Sequence, residues 1–166
     1  MSAGKVSVKS VDKEDIKAGL RTLGLKRGDS AGVHSSLSSF GHVEGGADAV
    51  IDALLETVGK KGNVIMSTHS ANVSEDKRTP AEIALGVSWL LKLLPYDPKE
   101  TPVRTGMIPE TFRKREGVVR GSDPSNSIAA LGPKAKELSK GWHKLLEIDG
   151  YILLMALDSK AVQLCT

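Results

Sequence analysis

The chain has 166 residues, the size of one compact domain, and its 40% hydrophobic and 26% charged residues suggest neither disorder nor a fibrous class. A formal charge of +3 spread along the chain, with 4% aromatic residues, argues against nucleic-acid binding. One cysteine, Cys165, excludes an internal disulfide framework or a multi-cysteine zinc site and favours a reducing, cytoplasmic setting; no apolar run reaches the roughly 18 residues of a membrane span, and no apolar stretch follows the first lysines as in a secretory signal.

Ile16, Leu20 and Leu23 recur at helical spacing over Asp15 to Leu23, with Gly24 as a stop, and predict a first helix. After a Gly28-Asp29 turn, Ser30 to His34 reads as a buried strand running into a polar loop, Ser35 to Gly46. Val50, Ile51, Leu54, Leu55 and Val58 share one face of a helix predicted over Ala47 to Val58, which Gly59 ends. Asn63 to Met66 is a second buried strand, so this stretch is a βαβ unit with parallel strands. Pro80 to Leu94 predicts a third helix, Pro109 to Arg115 and Pro133 to Ser139 two short ones, and Tyr151 to Leu157 an apolar strand. The expected fold is α/β, a single domain over residues 1–166.

Three polar clusters follow short apolar pieces. His34-Ser35-Ser36-Leu37-Ser38-Ser39 lies past the first strand, before a helix opened by Gly45-Gly46. Ligands of open α/β sheets bind at such strand ends, and free N–H groups at a helix start can hold phosphate. The alternative is a serine turn whose hydroxyls only cap the helix. Thr68-His69-Ser70 follows the second strand, with His69 read as a hydrogen-bonded structural residue. Arg120 to Ser127 offers an arginine suited to bidentate phosphate contact, or else a turn in which that arginine pairs with a surface acid. The chain lacks the Gly-x-Ser-x-Gly elbow, the Walker loop, the dinucleotide fingerprint and any metal-ligand spacing.

In this order the pieces resemble the aminoglycoside 3-N-acetyltransferases. The shared series is Leu23-Gly24-Leu25, Gly28-Asp29, His34 to Ser38, Gly45-Gly46-Ala47, Val58 to Gly62, Tyr96-Asp97-Pro98, Thr101-Pro102, Gly106 to Arg113 and Ala129 to Pro133. The resemblance spans roughly Asp15 to Leu157. It implies an antibiotic-resistance acyltransferase that moves an acetyl group from acetyl-CoA, as cosubstrate and without a metal, to the 3-amino group of an aminoglycoside or other amine acceptor. It also implies that His34, Ser35, Ser36, Leu37 and Val43 face the pantetheine and pyrophosphate, with Arg120 and Ser127 near the phosphates.

Two departures stand out. Where the family shows Arg-Ser-x-His-Pro this chain reads Arg120-Gly121-Ser122-Asp123-Pro124, placing an acid where an imidazole is usual. The family's Thr-x-x-His-x-Ala-Glu segment, source of its base and carboxylate, has no counterpart before Cys165-Thr166, so the chain is expected to be truncated and weak or inactive alone. Its catalytic residues are therefore unassigned. Two other readings are a non-catalytic coenzyme A or phosphate-ligand module, and a homo-oligomer in which a second copy completes the sheet.

Overall fold

A computed structural model describes residues 10–70, 79–86 and 96–155, together with the backbone pairing of 162–165. Six strands form one mixed sheet: β1 (Ser30–Ser35), β2 (Asn63–Ser67), β3 (Val119–Arg120), β4 (Ile128–Leu131), β5 (Tyr151–Met155) and β6 (Val162–Cys165), in the spatial order β3-β4-β2-β1-β5-β6. β1 runs parallel to both β2 and β5, while β4 lies antiparallel to β2, β3 to β4 and β6 to β5. The helices are α1 (Lys13–Thr22), α2 (Gly46–Val58), α3 (Pro80–Ala84), α4 (Met107–Arg113), α5 (Ala135–Leu138) and α6 (His143–Leu146), with a 3-10 turn at Leu37–Phe40.

The predicted βαβ unit is present with parallel strands, and its causes are visible. Asp12 opens α1 through a reciprocal capping box with Asp15, which satisfies two otherwise unpaired N–H groups. Ile16 and Leu20 then turn inward against α2, whose Val50, Ile51, Leu54 and Val58 are fully buried. Gly59, at φ 65°, closes α2 with its N–H on the Leu55 carbonyl, a backbone turn that a Cβ would disfavour.

Some expectations need adjusting. The helix predicted from Pro80 ends at Ala84 and turns through Gly86, and residues 87–95 lie outside the described residues. The helix expected from Pro109 begins earlier, at Met107, and the one expected from Pro133 begins later, at Ala135. β4 and α6 were not predicted. A four-residue Ile-Ala-Ala-Leu strand carries little β propensity of its own and exists because β2 pairs with it.

Strand alternation divides the core between the two faces of the sheet. Ala31, Val33, Val64, Met66, Ala129, Leu153 and Met155 face one side, with α2 and with Ile108 and Phe112 of α4. Ile65, Ile128 and Ala130 face the other, with Leu138 of α5 and Leu145 of α6. On this second face Gly32 is required by contact. A Cβ there would meet Trp142 Cζ3 at 2.3 Å and Leu145 Cδ2 at 2.7 Å. We therefore expect Gly32→Ala to overpack the face and lower stability by about 1–3 kcal/mol, read from the urea midpoint.

Candidate functional site

The register of the sheet gathers the polar clusters at one end. Ser35 stands opposite Met155 at the end of β1, Ser67 opposite Ile128 at the end of β2, and Arg120 opposite Ala129. The turns after β1 and between β3 and β4 therefore share the C-terminal end of β1 and β2. β1 and β3 lie three strand spacings apart, about 14 Å.

The first turn is held by its own hydroxyls. Ser36 Oγ lies 3.1 Å from Ser38 Oγ and accepts from Ser39 Oγ at 3.0 Å, while the Ser36 N–H donates to the Met155 carbonyl at 3.3 Å. None of these hydroxyls caps α2, whose N-cap Gly45 sits at φ 81° without a side-chain bond, so the capping alternative is not what forms. Ser35 Oγ is buried and has no hydrogen-bond partner. Leu37 packs against the core, and Val43 is buried within it, bridged to Val11.

The second cluster is knitted across strands. Thr68 N–H donates to the Ser127 carbonyl at 2.8 Å, Thr68 Oγ1 donates to the same carbonyl at 3.1 Å, and Ser127 Oγ donates back to the Thr68 carbonyl. Arg120, only 8% exposed, donates from Nη2 to the Thr68 carbonyl at 2.6 Å and from Nη1 to the Thr101 and Pro98 carbonyls at 2.6 and 3.3 Å. Its guanidinium lies 5.2 Å from the centre of the Tyr96 ring. Its pairing with Ala129 sets it on the α4 face of the sheet, away from His34.

Arg120 was expected to contact phosphate, or to pair with a surface acid. Among the described residues it pairs with no acidic side chain: its terminal nitrogens donate to backbone carbonyls, and Nε is buried without a partner. Nearby, Glu110 fixes the same loop by accepting the Val103 N–H at 2.9 Å. Burial alone would raise the Glu110 carboxyl, but Arg113, Lys114 and the Val103 amide outweigh it and hold the group at about 2. Arg120→Lys keeps the charge but cannot serve three carbonyls, so we expect a loss of about 1.5–3 kcal/mol in urea unfolding.

On the opposite face His34 stacks on Trp142, with ring centres 5.0 Å apart and planes 20° apart. Trp142 lines a cavity of about 630 Å³ with His69, Arg120, Asp123, Asn126, Ser127 and Lys140. This cavity joins the two clusters: the indole touches His34 from the first and forms a wall beside the second. His69, read from sequence as a bonded structural residue, instead exposes its side chain at the wall, while its carbonyl accepts the Arg104 N–H at 2.8 Å. Trp142 was not singled out as a site residue. The available signal was a rare aromatic next to Gly141, where φ is 156°.

Burial, and then the charge of His69, depress the His34 imidazole below the ordinary histidine value. The folded state thus disfavours protonated His34. Its contribution to stability is complete above the unfolded value of about 6.5 and is lost as pH falls through the depressed folded value. Urea midpoints measured from pH 8 to pH 5 should therefore fall on acidification, and the fall should be shallower in His34→Gln.

The fold and the polar strand ends describe an α/β protein with a polar cavity at one end of its sheet. Comparison with known proteins gives the family. The profile of the aminoglycoside 3-N-acetyltransferases matches residues 33–162, and the chain belongs to that family. It is 35% identical over 164 residues to the prophage-derived aminoglycoside N(3')-acetyltransferase-like protein YokD of Bacillus subtilis, covering 88% of this chain and 60% of the relative. Aminoglycoside N(3)-acetyltransferase IX of Micromonospora chalcea is 34% identical over 134 residues, covering 77% of this chain and 46% of the relative. The chain therefore spans between about half and three fifths of these relatives' length. Among solved structures, AAC(3)-Xa superposes with a TM-score of 0.74 at 31% identity, covering 87% of this chain and 56% of that one. AAC-IIIb, solved as a binary complex with CoASH, gives 0.69 at 28% identity, covering 88% and 59%.

Proposed function

We propose that the chain forms part of an acetyl-CoA-dependent N-acetyltransferase acting on an amino group of an aminoglycoside, with the coenzyme at the serine turn after β1 and the amine in the neighbouring cavity. The observation that carries this reading is the convergence of both polar turns on one end of the sheet, joined through His34 and Trp142.

The residues at the serine turn suit a coenzyme. Ser35 Oγ is a buried hydroxyl with both donor and acceptor unused. Gly45 and Gly46 both adopt positive φ at the uncapped start of α2, a backbone concavity that favours anions. His34, Ser35, Ser36 and Leu37 would accordingly line the coenzyme, Val43 would hold their turn in place, and Arg120 and Ser127 would shape the adjoining wall. The bound coenzyme supplies an acetyl thioester, an activated acyl group.

The amine nitrogen must then bond to the acetyl carbon as the thioester C–S bond breaks, a base taking the amine's proton and the coenzyme leaving as its thiol. Among the described residues no carboxylate bonds to the ring of His34 or His69, the imidazoles of the two polar clusters. Loss of a positioned base costs about 10²–10⁴ in rate, so these 166 residues alone should turn over slowly. That same feature favours a second reading, a module that binds the coenzyme without catalysis. We expect millimolar coenzyme A to raise the melting temperature, Ser35→Ala to reduce that shift, and thiol release with aminoglycosides to be weak. No thermal shift with coenzyme A would sink both readings, and rapid thiol release would sink the second alone.

A further inference from the structure

The indole of Trp142 is fixed at two places on β1. Its benzene ring lies against Gly32, where a Cβ would come within 2.3 Å of Cζ3 and 3.2 Å of Cη2, and the indole also stacks on the His34 ring two residues further along the strand. The backbone that carries it is fixed as well. The Trp142 carbonyl accepts the Leu145 N–H at 3.0 Å, and the Leu145 side chain is buried against the same glycine. On the other side of β1, His34 stands in register with Leu154 of β5. No hydrogen bond orients the imidazole: among the described residues neither ring nitrogen has a partner, so the half-buried ring is held by packing, and the indole is the ring stacked on it. Stacking at this separation stabilises a ring pair beyond the area it buries.

We propose that Trp142 is a positioning residue for the coenzyme: stacked on His34, it holds the imidazole in one orientation, with the ring nitrogens left to bond an amide of the pantetheine arm. This rests on the reading that places the coenzyme at the serine turn, which begins at the residue after His34. Stacking uses the face of the imidazole and leaves its nitrogen-bearing edges open. Burial and the charge of His69 keep the ring neutral at pH 7, and a neutral imidazole carries one N–H donor and one acceptor nitrogen. An amide offers the complementary carbonyl and N–H. An unstacked ring would sample several orientations and lose that freedom on binding, whereas a ring already held has lost it beforehand and binds more tightly through the same hydrogen bonds. Trp142 thus acts on the coenzyme through His34, without touching it.

The experiment is isothermal titration of coenzyme A into the wild-type chain, Trp142→Met, Trp142→Phe, His34→Gln and the double variant Trp142→Met/His34→Gln. Methionine keeps an apolar filling over Gly32 without a flat ring, and phenylalanine restores the ring. Trp142→Met should bind coenzyme A about three- to tenfold more weakly, and Trp142→Phe should stay within about twofold of wild type. The double variant should bind no more weakly than His34→Gln alone, because two residues that act through one contact are not additive. A measurement on the wild type guards against a variant that does not fold: the His34 ring protons, shifted upfield by the indole in the NMR spectrum, should keep that shift when coenzyme A binds. Wild-type affinity in Trp142→Met, equal losses in Trp142→Met and Trp142→Phe, a double variant weaker than His34→Gln, or a stack that opens on binding would each overturn the role of Trp142 and leave the coenzyme at the serine turn. A wild-type chain that does not bind coenzyme A would overturn that placement as well.

Discussion

The geometry of the ligand end of the sheet hangs on one buried cation. Arg120 reaches the carbonyls of Thr68, Thr101 and Pro98 from a strand only two residues long, so one guanidinium ties the end of β2 to the loop before α4. Desolvating that charge is costly, and it is tolerated because carbonyl oxygens and the face of Tyr96 replace its water. The reciprocal bonds between Thr68 and Ser127 complete the same junction. With this knot in place, the β3–β4 turn has a defined position relative to the serine turn, and the cavity between them has walls.

The βαβ unit was legible because burial imposes a clear period on it. Val50, Ile51, Leu54 and Val58 repeat at helical spacing, and the strands on either side have short buried centres flanked by polar residues. β4 and α6 were not legible, since four residues are too few to show a period, and each owes its existence to a neighbour already in place. Of the candidate site, the convergence of two polar turns could be reasoned from strand ends and from family likeness. The occupation of Arg120 could not, because its acceptors come from residues 68, 98 and 101, and nothing in a linear sequence shows that those carbonyls meet.

The two faces of the sheet divide the labour. The α4 face holds the charged scaffold of Arg120, Glu110 and Arg113, whose groups bond to one another or to the backbone except for Arg120 Nε. The opposite face holds the His34–Trp142 stack and opens to solvent at the cavity. The two meet at the cavity, whose wall carries Arg120 and Lys140 beside Asp123.

The contact between Gly32 and Trp142 carries a consequence for sequence variation within the family. An indole at position 142 can lie flat on β1 only where position 32 has no side chain, so the two sites are sterically coupled. A chain with alanine or serine in the strand must therefore give way at both the indole and Leu145, which a Cβ at position 32 would meet at 2.7 Å. Such linked substitution would make the pair a marker, readable from aligned relatives, of which members build their cleft around a stacked tryptophan and which have remodelled it.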